Sequence, residues 1–121
     1  MSDAKNVLVI DDSRVSRMML KAMVKNILPN AEVQEAGDGE EALKVVETFT
    51  PDLLIIDYNM PKMTGLEFAA QCQPKFPQAK YALLTANVQD STKARAAEMN
   101  VVFFRKPIIE TTVRSILELL G

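Results

Sequence analysis

The stretch Val7-Leu8-Val9-Ile10-Asp11-Asp12-Ser13 joins a continuous apolar run to two acids and a hydroxyl. Four apolar residues without polar alternation are the pattern of a strand buried on both faces, as in a parallel sheet covered by helices. The pattern recurs at Leu53-Leu54-Ile55-Ile56 and Tyr81-Ala82-Leu83-Leu84, and more loosely at Val101 to Phe104. A fifth run, Ala31 to Ala36, is mixed with Glu32, Gln34 and Glu35 and reads as an edge strand. Segments of helical period separate the runs. Val15, Met18, Met19, Ala22, Met23 and Ile27 form one expected stripe, and Ala42, Val45, Val46 and Phe49 a second. Val113, Ile116, Leu117 and Leu120 form the last. Asp38-Gly39-Glu40-Glu41 and Thr64-Gly65-Leu66-Glu67 both have the spacing of a capping box. Pro29, Pro51 and Pro74 fall near expected helix ends, where a missing N–H does least harm.

Strand and helix alternate five times, which predicts an α/β fold, (βα)5, with a parallel sheet and helices on both faces. An edge-like second strand predicts the order 2-1-3-4-5, the flavodoxin-like doubly wound arrangement. In such sheets the site lies outside the carboxyl ends of the strands, at the switch point between strands 1 and 3.

The bulk properties bound the function. The 121 residues are one domain's worth, and 48% apolar against 25% charged is an ordinary globular balance. The net charge of −2, with no Lys/Arg run longer than two, gives no footing for nucleic acid. No apolar stretch approaches the ~20 residues of a membrane span. The polar Met1 to Lys5 has no signal-peptide character, so a cytoplasmic location is expected. Cys72 has no partner for an internal disulfide and reads as apolar filler. The absence of histidine removes Ser-His and Cys-His catalysis and histidine-ligated zinc.

The residues just past the strands are Asp11 and Asp12, then Asp57, Thr85 and Lys106. Singly, each has an ordinary reading: helix cap, turn residue, or solvated cation. Together they converge on one edge. Three neighbouring carboxylates repel, and either protonation or a hard divalent cation must relieve them. Mg²⁺ suits one or two carboxylates plus water and phosphate oxygens. Asp57 could then both ligate Mg²⁺ and act as nucleophile toward phosphorus, giving an acyl phosphate. Lys106 and the Thr85 hydroxyl are placed to meet phosphoryl oxygens. The turn Asp11-Asp12-Ser13-Arg14 has no glycine, and neither G-x-x-x-x-G-K-[ST] nor G-x-G-x-x-G occurs, which disfavours nucleotide binding.

These residues resemble the receiver domains of two-component response regulators. The likeness runs through Ile10 to Ser13, Glu35 to Ala42, Asp52 to Asp57, Met60 to Glu67, Leu84-Thr85-Ala86 and Phe103 to Pro107, and so covers residues 1–121 as a single receiver domain. It implies that Asp57 is the phosphoacceptor, and that Asp11, Asp12, Asp57 and the Asn59 carbonyl hold Mg²⁺. It further implies that Thr85, Ala86 and Lys106 bind the phosphate, and that Lys106-Pro107 is a cis peptide. Thr85 and Phe103 become the switch pair. Phe103 stands where chemotaxis regulators carry Tyr, so a hydroxyl contact to a partner cannot form there.

The implied partners are a sensor histidine kinase or phosphotransfer protein upstream and a protein target downstream. The target would bind the face of the fourth helix, fifth strand and fifth helix, with the chain a monomer or weak dimer. The fourth helix is expected to be lightly anchored, with a thin apolar face of Ala94 and Ala97. Asn59 and Asn87, each two residues past a site residue, are expected to tune dephosphorylation. The competing readings are a phosphatase with an aspartyl nucleophile and a degenerate receiver used as a fixed binding module. Against the phosphatase, Asn59 stands where a general-acid carboxyl is needed.

Overall fold

The computed structural model of the chain describes residues 4–86 and 89–121. Five strands alternate with five helices: β1 (Asn6–Ile10), α1 (Arg14–Ile27), β2 (Glu32–Ala36), α2 (Gly39–Val45), β3 (Leu53–Ile56), α3 (Gly65–Cys72), β4 (Lys80–Thr85), α4 (Asp90–Glu98), β5 (Val101–Arg105) and α5 (Glu110–Leu117). A 3₁₀ turn, Glu118–Leu120, follows. The sheet is parallel throughout, in the order β2-β1-β3-β4-β5. The mixed β2 occupies an edge, as its polar residues require.

Period-two alternation divides the core into two layers. Leu8, Ile10, Leu54, Ile56, Tyr81 and Leu83 face α2 to α4, against Ala42, Leu66, Phe68, Ala69 and Ala96. Val7, Val9, Leu53, Ile55, Ala82 and Leu84 face α1 and α5, against Leu20, Val24, Val113 and Ile116. The continuous apolar runs thus follow from burial on both sides. Cys72 is part of the first layer, and burial pushes its thiol up to about 11, as befits inert packing.

Thr64 and Glu67 form a complete capping box on α3. At α2 only half of one forms. Asp38 accepts from the Glu41 amide, while the Glu41 carboxylate reaches one residue further back, to the Gly37 amide. β4 also runs one residue longer at each end than expected, so Thr85 is its last ladder residue.

Two helix faces differ from expectation. In α1, Val15, Met18, Met19 and Ala22 of the expected stripe are exposed, while its Met23 and Ile27 pack against the core beside the fully buried Leu20 and Val24. α1 has one charged face, Arg14, Arg17, Lys21 and Lys25, and opposite it a wide arc of apolar residues, so periodicity does not fix which part of that arc faces inward. Arg17 lies at the edge of the buried face, where the backbone of Asp11 and the carboxylate of Glu35 both accept from it. In α4, Ala94 and Ala97 are exposed and Ala96 is the buried residue. The contact is thin, as expected, but on the other side of the helix.

The corrected face of α1 has a thermodynamic signature. Leu20→Ala should cost about 2–5 kcal/mol through lost burial and a cavity, whereas Met18→Ala should change stability by less than about 0.5 kcal/mol. Urea unfolding of the two variants measures both, and the reverse order would contradict this packing.

Candidate functional site

Each site residue sits where a strand stops, and the sheet's hydrogen bonds continue one step to hold it. The Asp11 amide donates to Ala36 O (3.1 Å), the Asp57 amide to Ile10 O (2.8 Å) and the Lys106 amide to Thr85 O (3.0 Å). The backbone beneath the site is therefore as fixed as the ladder. Gly65, at the start of α3, lies directly against this backbone. A Cβ there would overlap the carbonyl oxygen of Asp57 and press on Ile56 and Leu83. No larger residue lets α3 approach so closely.

Asp11, Asp12 and Asp57 bring one carboxylate oxygen each within 4.8 Å of one another. Asp11 and Asp57 are buried, and Asp12 is exposed. The Asp11 carboxylate is held at both oxygens: Ser13 N–H donates to Oδ1 (2.9 Å) and Lys106 Nζ to Oδ2 (2.9 Å). Lys106 stands 4.0 Å from Asp57 Oδ2. Burial, and next the charge of Asp11, raise the Asp57 carboxyl above its ordinary value, while Lys106 opposes them. One ammonium among three carboxylates leaves the cluster short of positive charge. All the nearby donors are hard oxygens, the chemistry that suits a divalent cation such as Mg²⁺.

Thr85 is 1% exposed, and its Oγ1 makes no hydrogen bond of good geometry among the described residues, although it faces the Asp57 carboxylate closely enough to help lower that carboxyl. A buried hydroxyl without a partner costs stability unless a ligand supplies one. Asn59 and Ala86 are exposed, and the Ala86 carbonyl accepts from Arg105 Nη1 (3.3 Å). The Lys106–Pro107 peptide is cis. Phe103 is half-buried, with Lys93 Nζ 5.3 Å and the Arg105 guanidinium 5.8 Å from its ring centre. Asn87 lies outside the described residues.

Three contributors were not legible as site residues. Arg17 donates from Nη1 to the Asp11 carbonyl (2.7 Å) and from Nε to Glu35 Oε1 (3.0 Å). The Ser13 amide is a backbone group that no side-chain pattern announces. Gly65 could be suspected only as the residue after a capping Thr.

The partnerless hydroxyl gives a direct test. Thr85→Val removes an unsatisfied buried oxygen while keeping the shape, so stability by urea unfolding should be unchanged or higher by about 1 kcal/mol. A clear loss would mean that the hydroxyl is bonded in the folded protein.

Comparison with known proteins places this geometry. Residues 7–118 match the family model described as the response regulator receiver domain. The chain is 34% identical over 116 residues to a chemotaxis protein CheY of Listeria monocytogenes, covering 93% of this chain and 94% of that one. It is also 34% identical to the cyclic di-GMP phosphodiesterase response regulator RpfG of Xanthomonas campestris, but spans only 30% of that protein's length. Among solved structures, Vibrio cholerae CheY4 superposes with a TM-score of 0.85 at 29% identity, covering 98% of this chain and 100% of that one. The Thermotoga maritima response regulator TrrA, in complex with Mg²⁺ and BeF, superposes with a TM-score of 0.82 at 30% identity, covering 97% and 99%.

Proposed function

The chain belongs to the response regulator receiver domain family, and on that premise we propose that Asp57 accepts a phosphoryl group, in a site completed by Mg²⁺. The observation that carries this reading is the gathering of three carboxylates, one lysine and one partnerless hydroxyl at the carboxyl edge of the sheet. Receiver domains are signalling domains that bind Mg²⁺ at an acidic pocket, and TrrA, with its Mg²⁺ and BeF, is one such relative.

The carboxylates of Asp11, Asp12 and Asp57 and the carbonyl of Asn59 would hold Mg²⁺. Bound there, Mg²⁺ supplies positive charge to the phosphoryl oxygens. The chain's own residues do the rest. A carboxylate oxygen of Asp57 forms the new P–O bond, and the donor's P–N bond breaks with its electron pair leaving on the imidazole of a phosphohistidine. Lys106, between Asp11 and Asp57, faces the added charge. The Thr85 hydroxyl, with no other partner among the described residues, donates to a phosphoryl oxygen, and Ala86 leaves the approach open. Asn59 controls the entry of the water that later hydrolyses the phosphate, a role the sequence also assigns to Asn87, which lies outside the described residues.

The signal then travels through Thr85. Its movement toward the phosphate vacates space that the half-buried Phe103 fills, taking the ring away from Lys93 and Arg105. The face of α4, β5 and α5 changes shape and charge, and a protein target reads the change. α4 can follow because Ala96 is its one fully buried side chain among the described residues. Upstream, a sensor histidine kinase or phosphotransfer protein supplies the phosphoryl group.

Intact mass after incubation with a small amidophosphate donor tests the phosphoacceptor. One adduct should form on the wild type only with Mg²⁺, and none on Asp57→Asn. An adduct that persists in Asp57→Asn would overturn the assignment. The switch is tested by amide chemical shifts on phosphorylation: changes should reach β5 and α4 in the wild type and be confined to the site in Phe103→Ala. An undiminished response in that variant would remove Phe103 from the pathway.

A further inference from the structure

Asp11 is fastened at four points. Its amide donates to Ala36 O and its carboxylate accepts from Ser13 and Lys106. The fourth point is its carbonyl, which accepts from Arg17 Nη1 at 2.7 Å. This last bond is a charge-assisted contact from a side chain six residues on. It is made where the chain leaves β1 and the ladder ends. We propose that Arg17 is a positioning residue for Asp11, and through it sets the affinity of the acidic cluster for a divalent cation. The proposal rests on the reading of that cluster as the Mg²⁺ site.

The geometry around Arg17 is built on both sides. Its Nε donates to Glu35 Oε1 at 3.0 Å, and Glu35 is the next-to-last residue of β2. Lys21 Nζ lies 4.0 Å from the other Glu35 oxygen. The guanidinium side passes across Gly37, where a Cβ would stand 3.4 Å from Nη1. The side chain is 18% exposed, so most of it is withdrawn from water. A planar guanidinium with two fixed acceptors has little freedom left, and a lysine cannot reproduce the fork. The end of β1, the first turns of α1 and the end of β2 therefore meet in one cation. If Arg17 is removed, the Asp11 carbonyl loses its partner and the turn that aims the carboxylate loses its brace. Partners that orient a metal ligand typically affect metal affinity by about 10–100-fold.

A simple fold staple would use the same contacts, and Glu35 separates the two roles. Glu35→Ala deletes the ion pair but leaves the bond from Arg17 to the Asp11 carbonyl. Mg²⁺ titration by calorimetry of the whole chain, with melting temperature in parallel, is the experiment. Arg17→Ala should bind Mg²⁺ about tenfold more weakly than the wild type, and Arg17→Lys more than about twofold more weakly. Glu35→Ala should lose melting temperature but keep its Mg²⁺ affinity. Raising Mg²⁺ to saturation should restore the phosphorylation rate of Arg17→Ala. The proposal is overturned if the Arg17 variants that fold bind like the wild type, or if Glu35→Ala weakens binding as much as Arg17→Ala. Should Arg17→Ala not fold, Arg17→Lys decides by the same criterion. A wild type that binds no Mg²⁺ would instead overturn the reading of the cluster as a metal site.

Discussion

Carboxylates held together against their mutual repulsion are the constraint on which this structure turns. Asp11 and Asp57 are both buried and approach within 4.8 Å. At an effective dielectric of about 20, two such charges repel by on the order of 3 kcal/mol. The sheet does not let them part. Each is one residue beyond a strand whose side chains are fully buried on both faces, and each is tied by an amide that continues the ladder. Lys106 relieves Asp11 most directly, at 2.9 Å, and Asp57 much less, at 4.0 Å. Of these two buried carboxyls, the less relieved is the one that burial and Asp11 push upward. A site strained in this way favours a bound cation and an added ligand that brings its own hydrogen-bond acceptors.

The rest of the fold divides into what fixes that site and what can move around it. The layers formed by α1, α3 and α5 are well filled, and Gly65 lets α3 lie directly on the Asp57 backbone. α4 is different. Ala96 is its one fully buried residue among those described, and its Lys93 lies 5.3 Å from the centre of the Phe103 ring. A rigid floor with one lightly held wall allows a change at Asp57 to be expressed on a single face. The exposed Val15 and Met18 of α1 are a separate feature, on the opposite side of that helix from Leu20.

The sequence made some of this legible and hid the rest for physical reasons. Val7 to Ile10, Leu53 to Ile56 and Tyr81 to Leu84 announced the buried strands because both faces demand apolar residues. The polar Glu32, Gln34 and Glu35 announced the edge. Those two facts suggested the strand order that the sheet has, and parallel strands in that order bring Asp11, Asp12, Asp57, Thr85 and Lys106 to one end. Helix faces were harder to read. α1 has a wide apolar arc, and only the packed structure shows that its inward part is centred on Leu20 and Val24 while Met18 stays exposed. In α4 three alanines lie close together, and periodicity could not say that Ala96 is the buried one. The bonds that steady Asp11, from the Ser13 amide and Arg17, depend on how the chain turns after β1, which no residue spacing records.

The most direct test is the equilibrium stability of the wild type and Asp57→Asn at pH 7, each with and without Mg²⁺. A carboxyl raised by burial and a neighbouring charge costs the folded state stability as pH climbs from the ordinary carboxylate range through its raised value, and the cost is complete above it. Removing that charge should therefore make Asp57→Asn the more stable protein without metal. Mg²⁺ should stabilise the wild type by an amount that grows with its concentration, reaching about 2.7 kcal/mol at a hundred times Kd, and should stabilise the variant less. If instead the metal-free wild type is as stable as Asp57→Asn and Mg²⁺ changes neither, the three carboxylates are not a strained cluster awaiting a cation.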